Sequence, residues 1–200
     1  MDTIKYKKED IEIIKNELLN GKLIAFPTDT VFGLACVMDA EAIKKVYIAK
    51  GRDFNKPLPV MCSGLEMIEK IAYVDEKTKK IIDNFMPGAL TIVFNKKEDV
   101  DDYITQNKPT IGIRVPDDEW IIDLIKRIGK PIMVTSANIS DTGSLLKWED
   151  VFASMNNKID GIVCEDARGD KSSTIIDVSN ELRVLREGPI SLKTIMEAIK

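Results

Sequence analysis

Histidine is absent from this sequence of 200 residues. Its absence excludes the commonest general base, the histidine-dependent catalytic triads and most zinc sites. Cysteine is scarce as well, because the chain has three, which are far apart and mostly in apolar context. This odd number of separated cysteines predicts that Cys36, Cys62 and Cys164 are reduced core thiols. Any catalysis must therefore depend on other side chains.

The sequence also lacks a long apolar run. No stretch approaches the roughly 18 residues that a membrane-spanning helix needs, and the amino-terminal MDTIKYKKED has no continuous apolar centre like that of a secretory signal. We therefore expect a cytoplasmic protein without membrane contact. A net charge of −4 and a pI near 5.1 argue against a global positive field that would attract nucleic acid. Cations that matter for function must be locally concentrated.

The residues that are present have the composition of one globular domain. The chain is 44% apolar and 31% charged, which is typical of globular proteins. At this length a chain can bury roughly 70% of the surface that its unfolded form exposes. Connections between periodic segments are short, and no repeat or low-complexity segment interrupts them. We predict a single domain over residues 1–200.

Apolar periodicity alternates between the helical and the strand form. Helices are predicted at 10–20, from a cap at Asp39 through Ala49, from a cap at Ser63 through Ala72, from a cap at Asp75 to Met86, over DDEWIIDLIKRIG and at 191–199. Strands are predicted at KLIAFP, ALTIVF, TIGIRV, PIMVTSAN and GIVC, and a hairpin around Ser179 and Asn180 at STIIDVS and LRVLRE. Helices between strands indicate crossover units, while the hairpin adds antiparallel neighbours. The expected fold class is therefore α/β, with a twisted mixed sheet flanked by helices.

Four segments near predicted strand ends carry polar residues that could bind a ligand. The first is PTDTVFG at 27–33, where Pro27 holds the chain extended so that Thr28 and Thr30 project to the same side. Local turn chemistry also explains this segment, because threonine and aspartate are common in loops.

The second segment, AKGRDFNKPLPVM at 49–61, concentrates cations at Lys50, Arg52 and Lys56. If residues 50–52 are extended, Lys50 and Arg52 point the same way, and with Lys56 they form one positive wall. The alternative is that these cations are solvated and close a helix, where they complement its dipole.

The third and fourth segments are the end of PIMVTSAN and a set of isolated polar residues. Ser136 and Asn138 are again spaced by two, so they either bind a ligand or satisfy a turn. Arg114 ends TIGIRV, Ser173 opens STIID, and Arg186 ends LRVLRE. Arginine at the end of an apolar strand indicates a carboxylate or phosphate that its planar fork can bind.

In this order, the motifs PTDTVFGL, Lys50-Gly-Arg52 with KPL, IGIRVP, Ser136-Ala-Asn138, STIID and LREG resemble the YrdC-like threonylcarbamoyl-AMP synthases in their single-domain form. The resemblance runs from about residue 10 to 195. It implies the YrdC-like fold, with an open cavity for anionic ligands. Members of this family join L-threonine, bicarbonate or carbon dioxide, and ATP to make L-threonylcarbamoyl-AMP and pyrophosphate. A separate complex then transfers the threonylcarbamoyl group to adenosine in tRNA.

The resemblance also implies roles for individual residues. Four would be catalytic: Lys50, Arg52, Ser136 and Asn138. Those around L-threonine would be Thr30, Met61, Arg114, Val134 and Ser173. Those around ATP would be Arg52, Lys56, Thr110, Ser136, Ser144 and Arg186. Mg²⁺ is expected with ATP, although no carboxylate cluster in the sequence identifies itself as a protein site for it.

The sequence departs from the family pattern in two loops. ISDTGSLLKWEDV, with Asp141, Gly143 and Ser144, lacks the usual Gly and Pro spacing, and EDARGDKSST replaces the commoner glycine pair before Ser173. Neither the GxxxxGK[ST] nor the GxGxxG phosphate-binding motif occurs.

Three alternatives remain open. They are a double-stranded RNA or tRNA-binding module of the same fold without synthase activity, a carbamoyl-transfer enzyme of the hydrogenase-maturation type, and an inactive paralogue like the YciO branch. The acidic pI disfavours the first, the chain length disfavours the second, and the Lys-x-Arg and Ser-x-Asn pairs disfavour the third.

Overall fold

The computed structural model describes residues 2–140 and 142–199. Within them the strands are β1 (Ile4–Tyr6), β2 (Ile24–Phe26), β3 (Gly33–Val37), β4 (Val60–Met61), β5 (Leu90–Asn95), β6 (Thr110–Arg114), β7 (Ile132–Ser136), β8 (Gly161–Val163), β9 (Thr174–Asp177) and β10 (Arg183–Arg186). The helices are α1 (Ile11–Leu19), α2 (Ala40–Lys50), α3 (Leu65–Glu69), α4 (Glu76–Phe85), α5 (Asp102–Thr105), α6 (Glu119–Ile128), α7 (Trp148–Met155) and α8 (Leu192–Ala198).

The strands form one mixed sheet in the order β1-β8-β2-β3-β7-β4-β6-β5-β9-β10. Strand β7 lies between β3 and β4 and is antiparallel to both, whereas β4 is parallel to β6, and β5 is parallel to β9. Strands β9 and β10 form the predicted antiparallel hairpin at one edge. The prediction of a mixed sheet flanked by helices is confirmed.

Helix boundaries follow the capping residues that the sequence offers. The side chain of Asp39 accepts hydrogen bonds from the first turn of α2, Asp75 does so for α4, and Asp118 for α6. Helices α2 and α6 end at Gly51 and Gly129, which adopt positive φ values of 58° and 77°. A side-chain acceptor at the start and a left-handed glycine at the end satisfy backbone groups that the helix leaves unpaired.

The prediction of a helix from Ser63 through Ala72 is wrong in its start and its length. Helix α3 begins after Gly64 and ends at Glu69. The Ser63 hydroxyl contacts the Met67 sulfur instead of capping the helix, and Ala72 forms an isolated antiparallel bridge with Lys96. Pairing with this neighbouring segment replaces the last predicted turn.

The core lies on both sides of the central strands. All five residues of β3 and all three of β2 are buried, so neither strand alternates between apolar and polar residues. Cys36 and Cys62 belong to this core, as predicted, and burial raises the pKa of each thiol to about 12. Cys164 is half-buried. All three cysteines are free.

Candidate active site

A cavity of about 520 Å³ lies over one face of the sheet, from β7 to β10. Its floor is made by alternate strand residues, which point to the same face of a sheet. These residues are Thr110, Gly112 and Arg114 of β6, Thr91 and Val93 of β5, and Ile175 and Asp177 of β9. The 27–33 segment, the 52–61 segment and the end of β7 form its walls. The cavity therefore collects the polar residues that follow several different strands.

Arg114 lies almost fully buried at the end of β6, and its guanidinium is held from three sides. Nε donates to the Gly88 carbonyl at 2.9 Å, Nη1 to Thr30 Oγ1 at 2.7 Å, and Nη2 to Asp29 Oδ2 at 2.6 Å. Burial lowers the pKa of Arg114, and the Asp29 carboxylate acts in the opposite direction. Three of the five N–H groups of the guanidinium take part in these bonds, so Arg114 is fixed in position and keeps donors for a ligand.

Ser173 lines the same cavity as Arg114 and lies where the chain enters β9. Its hydroxyl is 2.8 Å from that of Thr91. The Arg186 guanidinium donates to the Ser173 carbonyl through Nε at 3.1 Å and through Nη2 at 2.8 Å. This pair of bonds orients Arg186, which also lines the cavity.

Arg52 lies in the loop that follows α2 and reaches the cavity on the side of β4 and β7. Its Nε donates to the Lys56 carbonyl at 3.1 Å and its Nη2 to the Pro57 carbonyl at 3.1 Å. No salt bridge among the described residues includes Arg52 or Arg186. Both cations therefore retain their charge for an anionic ligand.

Lys50 is buried and joins the end of α2 to the turn after β7. Its Nζ donates to the carbonyl of Ser136, to the carbonyl of Asn138 at 2.6 Å and to Asn138 Oδ1 at 3.3 Å. The Lys50 carbonyl in turn accepts from the Ser140 amide at 2.9 Å. Burial, together with the positive charge of Arg52, lowers the pKa of Lys50 to about 8. The Lys-x-Arg and Ser-x-Asn pairs are thus in direct contact.

The structure brings most of the predicted site residues together. Nine of the thirteen line the cavity: Thr30, Arg52, Met61, Thr110, Arg114, Val134, Ser136, Ser173 and Arg186. The cavity lining does not include Lys50, Lys56, Asn138 or Ser144. The roles of all these residues toward ligands remain predictions.

The expectation that Lys50, Arg52 and Lys56 form one positive wall is wrong. Lys50 is the last residue of α2 and Gly51 has a positive φ, so residues 50–52 are not extended. Lys50 consequently points inward to Ser136 and Asn138, while Arg52 points to the cavity. Lys56 is exposed, and its carbonyl accepts from Arg52 and from the Tyr47 hydroxyl.

The two loops that depart from the family pattern lie against the site. Ser144 Oγ is 3.1 Å from Ser172 Oγ, which joins one loop to the other; Asp141 lies outside the described residues. The Arg168 amide donates to the Thr28 carbonyl at 3.0 Å. A Cβ on Gly169 would lie 2.4 Å from the Thr30 carbonyl oxygen, so only glycine allows this approach.

From the sequence, Asp29, Thr91 and Gly169 received no role in the site, and Thr28 was expected only to project to the same side as Thr30. Asp29 lies between Thr28 and Thr30 in PTDTVFG, and a buried arginine needs a carboxylate partner. That need is the signal that could have paired Asp29 with Arg114. Thr91 gives no comparable signal, because threonine is common in strands.

The part of the chain that the structure describes was predicted to lack a protein metal site and a membrane-spanning helix. No group of three or more Cys, Asp or Glu side chains there could hold a metal ion. Among the described helices, none combines the length and apolar character needed to cross a membrane.

Comparison with known proteins supports the resemblance. A family model named for Sua5, YciO and YrdC and described as "Telomere recombination" matches residues 16–188. A protein of Methanocaldococcus jannaschii is 37% identical over 190 residues, with 94% of this chain and 89% of that protein covered. The threonylcarbamoyl-AMP synthase of Pyrococcus abyssi is 35% identical, and the alignment covers 94% of this chain but 57% of the relative. The chain therefore spans little more than half of this second relative.

Solved structures give the same result. The crystal structure of P. abyssi Sua5 complexed with L-threonine superimposes with a TM-score of 0.90 at 32% identity, and covers 98% of this chain and 60% of that one. Escherichia coli YciO, at 23% identity and a TM-score of 0.86, shares the fold. On its matched motifs and its fold, the chain belongs to the Sua5/YciO/YrdC family.

Proposed function

We propose that this chain is an L-threonylcarbamoyladenylate synthase, a nucleotidyltransferase that makes threonylcarbamoyl-AMP and pyrophosphate from L-threonine, bicarbonate or carbon dioxide, and ATP. The observation that carries the proposal is the unequal neutralisation of the cavity arginines. Arg114 is paired with Asp29 and Arg183 with Asp177, whereas Arg52 and Arg186 donate to carbonyls. A zwitterionic amino acid suits a neutralised arginine, and a polyphosphate suits cations without carboxylate partners.

The proposed reaction proceeds through a carbamate. The threonine amine attacks the carbon of carbon dioxide, so that an N–C bond forms and the electrons of one C=O π bond move to oxygen. The amine then loses a proton to solvent, and the product is a carbamate anion. An oxygen of this carbamate then attacks the α-phosphorus of ATP while the bond to pyrophosphate breaks. Positioning and positive charge contribute most to such a transfer, so the absence of histidine is compatible with it.

Arg114, with Thr30 and Ser173 nearby, is suited to bind the threonine carboxylate. Arg52, Ser136 and Arg186, on the same cavity, are suited to bind the triphosphate. Lys50 holds Ser136 and Asn138 in place and adds charge close to Arg52. Lys56, Thr110 and Ser144 remain candidates for ATP contacts.

Mg²⁺ is proposed to enter with the phosphates of ATP, because Mg²⁺ commonly binds to substrate phosphates with few protein ligands. We further propose that the product is passed to a separate complex that modifies tRNA in the cytoplasm. The P. abyssi and Bacillus subtilis relatives named as threonylcarbamoyl-AMP synthases support the reaction, and the L-threonine complex of Sua5 supports the substrate.

The test is pyrophosphate release with magnesium-ATP, L-threonine and bicarbonate, with each omitted in turn. We expect release only when all are present, together with a product of the mass of threonylcarbamoyl-AMP. Arg52→Ala should lose this activity, and Arg127→Ala, which changes an exposed arginine away from the cavity, should keep it. Equal pyrophosphate release without threonine would contradict the proposal.

A further inference from the structure

Thr28 and Thr30 form a buried hydrogen-bond network in the cavity wall. The two residues are 2% and 3% exposed. Thr28 Oγ1 donates to the Val31 carbonyl at 2.7 Å, accepts from the Thr30 amide at 3.0 Å and lies 3.0 Å from Thr30 Oγ1. Thr30 Oγ1 also accepts from Arg114 Nη1 at 2.7 Å.

The positions of the two hydroxyl protons follow from these contacts. A hydroxyl has one proton to donate and two lone pairs that accept. The Val31 carbonyl can only accept, so the Thr28 proton is used there. The bond between the two threonines therefore needs the Thr30 proton, which Thr30 donates to Thr28 Oγ1.

These assignments determine which hydrogen bonds each hydroxyl oxygen can still form. Thr28 Oγ1 has its proton and both lone pairs in use, so it offers nothing to a ligand. Thr30 Oγ1 has donated its proton and accepts from Arg114 with one lone pair. A single lone pair of Thr30 is therefore what this part of the wall can offer to the cavity.

We propose that Thr28 is a positioning residue that fixes the proton of Thr30, so that Thr30 offers the amino-acid substrate a hydrogen-bond acceptor and not a donor. This inference rests on the proposed function. An acceptor at Thr30 favours an amino acid that places an N–H or O–H donor next to the carboxylate bound by Arg114. In threonine, both the amine on Cα and the hydroxyl on Cβ are close enough to the carboxylate to supply that donor.

Binding of two amino acids tests the inference. L-Threonine and L-2-aminobutyrate differ by the hydroxyl, and their affinities are measured by calorimetry for wild type, Thr28→Val and Thr28→Ser. Valine keeps the shape of threonine but cannot accept the Thr30 proton, whereas serine keeps all three bonds. We expect Thr28→Val to weaken threonine binding by about tenfold, the loss of one oriented hydrogen bond, and Thr28→Ser to restore it.

The two amino acids distinguish the donor. If the hydroxyl is the donor, the preference for threonine over 2-aminobutyrate shrinks in Thr28→Val; if it is the amine, both ligands weaken in parallel. Thr3→Val is the matched control, because Thr3 is buried, donates to the Ile159 carbonyl at 2.8 Å and does not line the cavity. It should leave threonine affinity unchanged.

The ATP affinity of Thr28→Val distinguishes a specific loss of Thr30 positioning from a general loosening of the fold. All measurements are made at a temperature where thermal melts show each variant folded, and ATP should bind to Thr28→Val with wild-type affinity. The inference is overturned if Thr28→Val binds threonine like wild type, or if it loses threonine and ATP affinity by the same factor. Failure of wild type to bind threonine would instead overturn the proposed function on which the inference rests.

Discussion

Replacing Asp29 by alanine should destabilise the protein far more than the loss of an ordinary ion pair. The Asp29 and Arg114 side chains are 10% and 6% exposed, and Oδ2 lies 2.6 Å from Nη2. Removing one partner of a buried pair leaves the other charge uncompensated, which costs about 3 to 5 kcal/mol. For a chain of this length, that cost lowers the melting temperature by roughly 10 °C.

The matched control is Asp123→Ala, which breaks an exposed pair with Arg127. Arg127 keeps its contact with Glu12, and exposed helix pairs contribute little to stability because solvent screens them. Thermal melts followed by circular dichroism should therefore show a shift of about 1 to 2 °C for this variant. If Asp29→Ala has the same melting temperature as Asp123→Ala, burial does not increase the contribution of the Asp29–Arg114 pair to stability, and the reasoning fails.

Three further variants test other parts of the site. Gly169→Ala should reduce pyrophosphate release and threonine affinity, because its Cβ would lie 2.4 Å from the Thr30 carbonyl oxygen. Gly64→Ala is the control and should retain both, because no atom lies within 4 Å of the added Cβ. The pKa of Lys50 is about 8 in the folded protein and 10.5 in the unfolded chain, so the unfolded state binds more protons between these two pH values. Urea unfolding of wild type should therefore show stability increasing with pH across that window. Lys50→Met should remove this increase. Arg52→Ala should lower adenylate formation by about 10²-fold with little change in melting temperature; wild-type turnover would show that this cation is only a solvated surface charge.

Local signals made much of the fold predictable. Asp39, Asp75 and Asp118 each precede a helical apolar pattern, and each caps the helix predicted after it. The hairpin near Ser179 was predictable because turn residues separate two β-rich segments. Such signals lie within a few residues of the element that they define.

Elements without a local signal were missed. The five residues of β3 are all buried between β2 and β7, so no alternation distinguishes this strand from the polar segment before it. Strand β4 has two residues and depends on its pairing with β6 and β7. Both exist through neighbours that are distant in sequence.

The candidate site shows the same division. The strand-end position of Arg114 predicted an anion-binding role, but its pairing with Asp29 joins residues 85 positions apart. The spacing of Lys50 and Arg52 indicated one direction for both side chains, yet the left-handed Gly51 turns them apart. The polar residues could be identified from the sequence, whereas tertiary contacts determine which of them line the cavity.

The distribution of charge in the cavity leads to a difference between its two proposed ligands. Arg52 and Arg186 lack carboxylate partners among the described residues, and Lys50 is surrounded by the neutral oxygens of Ser136 and Asn138. A triphosphate bound near these cations experiences their summed charge, and added salt screens that attraction where it is open to solvent. Arg114 is already neutralised by Asp29, so a zwitterion bound there gains little from long-range attraction. Raising KCl from 0.05 to 0.5 M should therefore weaken ATP binding by about tenfold and threonine binding by less than about twofold in calorimetric titrations. Equal salt dependence of the two ligands would mean that the unequal neutralisation of the arginines does not determine where each ligand binds.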